Sequence, residues 1–381
     1  MNVTHVELDD SPAAPPAAPR SATWGLTWHG VRTVAALELR QRVRSTRWIV
    51  ALVVWFLVVG AMTLLITGAL GMADDEGLRR GSLVFAGVTF LVLGLGLLVT
   101  PTLTSTSVNG DRNAGTLATL QVTLLTPAEI AAGKLLAAWA SACAFLVVSL
   151  PFLVLALLLG DTPPTSTLAA LVVIALLLAS VCGVGLGWSS LVARTAGSTV
   201  LTFVTVAALT VFTPLLFALT FPLVSGHEQV QVYGPPEDWY TDAQQVEAEP
   251  ECDVTVQERY VTHTERTWWL LAANPFVVVA DAAGTSRHVD VDEPLGALRE
   301  GVRGLRQGPP PIQDECWWSD VVVSEQESAV VPLEETDSPA STPVWPFGLG
   351  LHLLLGATGF VVAVRRLRVP QHTLARGTRV A

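Results

Sequence analysis

The chain has 381 residues, 51% of them hydrophobic, and a formal net charge of −11 at pH 7. Its mean hydropathy of +0.50 excludes an ordinary soluble domain, because the apolar residues cluster in long runs. An acidic, membrane-length chain of this kind is expected to partner the lipid bilayer and other proteins, not nucleic acid.

Residues 1–23 begin MNVTHVELDDSPAAPPAAPR. There is no apolar core and no basic start, so this is not a signal peptide. Pro and Ala with few bulky side chains suggest a disordered tail. Residues 24–47 read as a helix. Trp24, Trp28, Val31 and Ala35 share one narrow arc at about 100° per residue, while Arg32, Arg40, Arg44 and Arg47 lie elsewhere. This suits a basic helix lying in the membrane interface and leading into the first span. A plain basic topogenic flank would show the same residues.

A helix needs about 20 apolar residues to cross a bilayer. Trp48–Leu70, Ser82–Thr100, Leu135–Gly160, Leu168–Leu191 and Thr199–Val224 qualify, and Val344–Val364 is shorter but continuous, with Trp345 as an interfacial anchor. The reading is an all-α polytopic membrane protein with six transmembrane helices: five over residues 48–224 and the last over 344–364. An even number of spans puts both termini on one side. Arg32, Arg40, Arg42, Arg44 and Arg47 precede the first span, and Arg365, Arg366 and Arg368 follow the last. Lys134 and Arg194 fall on the same face, so that face is expected to be cytoplasmic, including the tail at 365–381. Arg79 and Arg80 oppose this, but Asp74, Asp75 and Glu76 accompany them.

The coupling region at 102–134 contains a polar island, Asn109–Lys134, reading NGDRNAGTLATLQVTLLTPAEIAAGK. Thr126-Pro127-Ala128-Glu129 is a helix start, with threonine as N-cap, proline at the first helical position and Glu129 completing a capping box. Leu117, Leu120 and Leu124 follow helical spacing. A short amphipathic helix, a turn and a capped helix make a rigid docking element. An amphipathic linker packed on the membrane is the blander alternative.

In the fifth run, Thr199, Thr202, Thr205, Thr210, Thr213 and Thr220 share an arc of about 140°. They either line a translocation path or bond their own backbone and neighbouring helices. Pro214 should bend this helix. Gly183, Gly185 and Gly187 read first as sites of close helix packing. Cys143 and Cys182 lie inside spans and read as small packing residues. The spans essentially lack deep charges, which disfavours an ion-coupled carrier.

Residues 225–343 form a large acidic extracytoplasmic segment. Glu228, Glu237, Asp238, Asp242, Glu247, Glu249, Glu251 and Asp253 crowd its start. They read as a hydrated surface, or more sharply as an attractor of cations. Cys252 and Cys316 lie where oxidation is possible, and a disulfide between them is a hypothesis that sequence alone cannot give geometry. Residues 268–284, WWLLAANPFVVVADAAG, are apolar but broken at Asn274-Pro275 and too short to span, so a re-entrant or interfacial pair of short helices is expected. No fold is assigned to residues 285–343 beyond an anchor at Trp317-Trp318.

Enzyme readings lack support. There is no H-E-x-x-H, no G-x-S-x-G and no G-x-x-x-x-G-K-[ST] phosphate loop. His227, His263 and His288 sit among carboxylates, but their spacing matches no metal-ligand pattern, so no metal is expected.

Asp111-Arg112-Asn113-Ala114-Gly115-Thr116-Leu117-Ala118-Thr119-Leu120, then Leu124-Leu125-Thr126-Pro127, then Gly133-Lys134, resembles the cytoplasmic motif of ABC-2 type permeases. Glu38-Leu39-Arg40 before the first span and Asn274-Pro275-Phe276 before the last extend the likeness. Ala118 stands where the family usually has Glu. The resemblance implies the membrane subunit of an ATP-driven exporter working by alternating access. ATP and Mg would sit on a separate ABC ATP-binding subunit, with no cofactor on this chain. A second permease copy or a paralogue would complete the unit. Asp111, Arg112, Gly115, Thr116, Leu117 and Leu120 would contact the ATPase, with Arg112 pairing carboxylates and the leucines filling an apolar groove. The alternative is a membrane-anchored sensor or assembly protein acting through its acidic segment.

Overall fold

The computed structural model describes residues 23–72, 80–122, 125–160, 162–235, 252–284, 294–316, 321–324, 329–332 and 342–368. The expected tail at the start, most of the acidic run after Glu228, His288 and the Trp317-Trp318 anchor lie outside the described residues.

Among the described residues, six helices are long and apolar enough to cross a membrane. They are α2 (Thr46–Met72), α3 (Arg80–Thr104), α6 (Pro127–Leu158), α7 (Pro164–Leu191), the continuous run α8 (Thr195–Ala207), π-turn (Ala208–Phe212) and α9 (Thr213–Val224), and finally α13 (Trp345–Leu367). Ahead of them α1 (Trp28–Val43) starts at Thr27, whose hydroxyl accepts from the Gly30 amide at 3.2 Å. Two short helices, α4 (Asn109–Asn113) and α5 (Thr116–Val122), fill the polar loop. Helix α6 begins well before its apolar run, because the Thr126–Glu129 capping box and Pro127 start it inside the loop. Lys134 is therefore a helical residue within α6.

The main core lies between α2, α3, α6 and α7, around Val88, Leu93, Phe145, Ile174 and Leu177. Lipid is as apolar as leucine, so burial alone does not drive spans together; close packing must. Spans α7 and α13 achieve this through glycine. A methyl group at Gly183 would collide with the Gly356 backbone, and one at Gly187 with the Gly359 backbone. Gly185 faces Thr104 of α3 in the same way. By contrast α2 and the α8–α9 run are the least buried spans, each 22% buried over its most apolar window.

At the end opposite the polar loop, the chain does not simply turn. Span α9 runs directly into β1 (Ser225–Gly234), which pairs antiparallel with β2 (Asp253–Thr262) from Ser225↔Thr262 to Gly234↔Asp253. Strand β3 (Ile312–Asp314) adds in parallel on the other side of β1, and β4 (Val321–Ser324) pairs with β5 (Ala329–Pro332). Cys252 and Cys316 are joined as a disulfide, with Cα atoms 6.3 Å apart. It ties the start of β2 to the end of β3, and Arg259 Nη2, from within β2, pairs with Glu315 Oε2 at 2.8 Å. This small sheet has no counterpart in the sequence reading of residues 225–343, although Val230-Gln231-Val232 and Val254-Thr255-Val256 alternate with the period of a strand.

Between β2 and β3 the chain forms α10 (Trp268–Ala272), α11 (Pro275–Ala283) and α12 (Pro294–Gln307). Helix α11 is packed on nearly all sides. Its N-cap, Asn274, accepts from the Phe276 amide at 2.9 Å. The amide nitrogen of the same side chain donates to the Thr210 carbonyl at 2.9 Å. Pro214 has no N–H to offer the carbonyl of the residue four back, which is Thr210, so Asn274 supplies the missing donor. A π-turn lies immediately before this break, separated from Pro214 by one residue. Further along α11, the buried Asp281 pairs with Arg303 of α12 at 2.5 Å. Its second oxygen accepts from the Val344 and Trp345 amides at 2.7 and 2.6 Å, capping α13. His352 of α13 donates to the Ala273 carbonyl at 3.0 Å.

Candidate functional site

The polar loop is held by every neighbouring element. Asn109 is fully buried at its root. Its amide nitrogen donates to Ser198 Oγ at 2.7 Å and to the Val192 carbonyl at 3.2 Å. Ser189 Oγ accepts from the Val108 and Asn109 amides at 3.0 and 3.2 Å and donates to Asn109 Oδ1. Ser198 Oγ donates back to the Ser105 carbonyl at 2.6 Å. The end of α7 and the start of α8 therefore satisfy the loop's non-helical backbone, as burial requires.

Beyond the root, Lys134 is the central charge. Its side chain is 1% exposed, and its ammonium bonds Glu38 Oε1 of α1 at 2.5 Å and also Asp111 Oδ2 of α4. An unpaired lysine there would be strongly destabilising, so the two carboxylates fix α1 and α4 relative to α6. Gly133 permits this approach, because a methyl group there would press on Val34 of α1. A second tie lies one turn earlier. Glu129 accepts from the Thr27 amide and hydroxyl at 2.9 and 2.5 Å, besides closing its capping box with Thr126. Thr126 Oγ1 in turn donates to the Gly25 carbonyl at 2.5 Å. Arg42 donates to the Leu103 carbonyl at 2.9 Å; burial lowers its pKa from the ordinary guanidinium value, with Glu38 opposing that shift. Finally Gln121 donates to the Leu367 carbonyl at 3.1 Å, covering the end of α13.

Under the loop sits a small core of Val108, Leu117, Ile130, Leu186, Val364 and Leu367. Leu117 is 3% exposed and belongs to that core, and Leu120 packs against it. These two leucines thus fill a groove of their own chain, unlike the sequence expectation that they fill a partner's. Asp111 is likewise engaged by Lys134. What faces outward is the tip: Asn113, Ala114, Gly115 and Thr116 are exposed and Arg112 is half-exposed. Gly115 joins α4 to α5 with φ +75, a conformation that favours glycine, and nothing lies within 4 Å of the position its Cβ would take. Its role is the turn and an open approach from outside.

The threonines of the fifth span bond their own helix backbone. Thr199, Thr202, Thr205, Thr210 and Thr213 each donate to a carbonyl four residues back, at 2.7 to 3.0 Å. Trp188 donates to Thr205 Oγ1 at 3.1 Å, and Asn274 to Thr213 Oγ1 at 3.4 Å. Among the described residues no cluster of His, Cys, Asp or Glu could hold a metal ion.

The sequence marked Glu38 as a motif letter and Lys134 as a motif letter and topology marker, and it gave no structural role to Asn109 or Asp281. A signal existed for Asp281: a lone acid in the apolar run FVVVADAAG needs a buried partner.

This geometry defines a polytopic membrane protein with a rigid polar loop that joins the spans and presents a bare tip. The chain matches the ABC-2 family transporter protein family over residues 32–290, and it belongs to that family. It is a membrane-embedded permease subunit of an ABC transporter. The matched range runs from within α1, through the loop, to just beyond α11. Comparison with curated proteins finds no match.

Proposed function

We propose that the chain is the permease half of an exporter, driven by ATP hydrolysis on a separate ABC subunit that docks on residues 112–116. The observation that carries this is Lys134, whose two carboxylate partners lock the loop to α1 and α6 while the tip stays bare. A push on the tip cannot be absorbed by loop flexing, because Asn109, Lys134 and Gln121 pass it to α6, α7, α8 and α13. That is what alternating access requires of a coupling element. The loop end is then cytoplasmic, with both termini, and the sheet lies outside. Arg112 is the outward cation and pairs with a carboxylate of the ATPase. The fifth-span threonines remain a proposed path lining, and the second permease a proposed copy or paralogue.

The test is co-purification of the tagged chain from native membranes followed by an ATPase assay. Wild type should bring down a stoichiometric ATP-hydrolysing subunit, and Gly115→Trp, which strains the turn and fills the open approach to the tip, should lose it while still inserting. Equal recovery with that variant would refute docking at the tip. Leu117→Asp should also lose the subunit, but through collapse of the small core, which a protease-sensitive loop would reveal.

A further inference from the structure

The outward face of α1 is not used by the coupling role. Gly30, Val31, Val34 and Ala35 are buried on the side facing α6, and Glu38 points to Lys134. Trp28, expected to share their arc, instead stands 71% exposed. The opposite side forms a shallow groove lined by His29, Arg32, Thr33, Arg40, Gln41 and Arg44. No ion pair among the described residues involves Arg32, Arg40 or Arg44, although Arg42, between the last two, bonds inward. Exposed Leu37 and Val43 lie beside these cations. The helix joins α2, a spanning helix, through Arg44 and Ser45, so the stripe lies at the mouth of the first span.

We propose that this face binds anionic phospholipid headgroups of the leaflet on the loop side. Guanidinium groups hold phosphate oxygens in paired hydrogen bonds and stack against apolar neighbours. By the helical rise, Arg32 and Arg40 are about 12 Å apart along the axis, enough to take more than one phosphate. Trp28, Leu37 and Val43 meet the acyl boundary. The whole chain is acidic, with net charge −11, so the attraction is local to this stripe and short-ranged in salt. Lipid held here bears on the loop, because α1 is tied to α6 by Thr27–Glu129 and to both α4 and α6 by Glu38–Lys134–Asp111. The inference does not depend on the exporter reading.

Native mass spectrometry of the full chain in detergent, titrated with phosphatidylglycerol or phosphatidylcholine of equal acyl length, tests it. Wild type should hold phosphatidylglycerol about tenfold more tightly, since each basic residue near an anionic surface adds measurable attraction. The preference should vanish in R32Q/R40Q/R44Q and persist in R32K/R40K/R44K. If the triple glutamine variant does not fold, R32Q and R44Q singly should each lower the preference by about twofold. Equal binding of the two lipids by wild type, or an unchanged preference in the glutamine variants, would overturn the proposal. Displacement of phosphatidylglycerol by millimolar glycerol phosphate would also overturn it, by making the site one for free phosphate.

Discussion

The two ends of the bundle face the same difficulty and solve it in opposite directions. Each carries irregular backbone where water is scarce. At the polar-loop end, side chains of the spans reach out to hold the loop: Ser189 and Ser198 grip Val108, Asn109 and Ser105, and Lys134 grips Asp111. At the other end, the inserted helix reaches in to hold the spans. Asn274 completes the broken turn of the fifth, and Asp281 caps the sixth. The first arrangement leaves a bare tip. The second encloses α11 on nearly all sides. On the proposed coupling role, the element to be pushed is the exposed one and the element that holds is the enclosed one.

Removing Asp281 should do the greatest damage, because it takes a carboxylate from a buried guanidinium and from two backbone amides at once. Asp281→Ala is expected to destabilise by about 3–5 kcal/mol, read as a lower unfolding midpoint in a detergent titration. Little change there would mean that the opposite end is not an anchor. Lys134→Met should be milder, about 1–3 kcal/mol, since Glu38 and Asp111 keep some water contact with side chains 19% and 29% exposed. Its signature should be faster amide exchange over residues 109–122, with residues 275–283 unchanged; equal acceleration at both would erase the contrast between the ends.

Asn274 allows a finer cut. Asn274→Ala removes both the acceptor for the Phe276 amide and the donor to Thr210. About 1 kcal/mol is expected for each lost function, so about 2 kcal/mol in all, read as a lower unfolding midpoint. The smallest effect lies in the sheet. His263 bonds Glu265 at 2.8 Å and Glu228 at 3.1 Å, and these carboxylates raise its pKa above the ordinary histidine value. A raised folded-state pKa means the contribution is complete below about pH 6.5 and fades as pH rises through the folded value. Strand-end protection against protease should therefore weaken on going from mildly acidic to alkaline buffer, and His263→Gln should flatten that dependence.

The spans and the capping box were legible because they are written in contiguous residues: apolar length for one, Thr126 and Glu129 for the other. The partners of Lys134 were not, because Glu38 and Asp111 meet it only after α1 folds back on α6. For Leu117 the spacing revealed a helix face but not which body that face would meet. The hairpin was missed for another reason. Its alternating valines sit beside a dense acidic run, and charge dominated the reading of that segment.

Glycine at the crossing of α7 and α13 has a mechanical consequence. With Gly183 against Gly356 and Gly187 against Gly359, backbone meets backbone at these two points, with no side chain between them there. Sliding one past the other would drive backbone into backbone, so they travel as a single spar. On the proposed cycle, rearrangement then falls on the spans outside this pair, of which α2 and the α8–α9 run are least enclosed by their own chain, the latter moored through Ser198, Thr205 and Thr210.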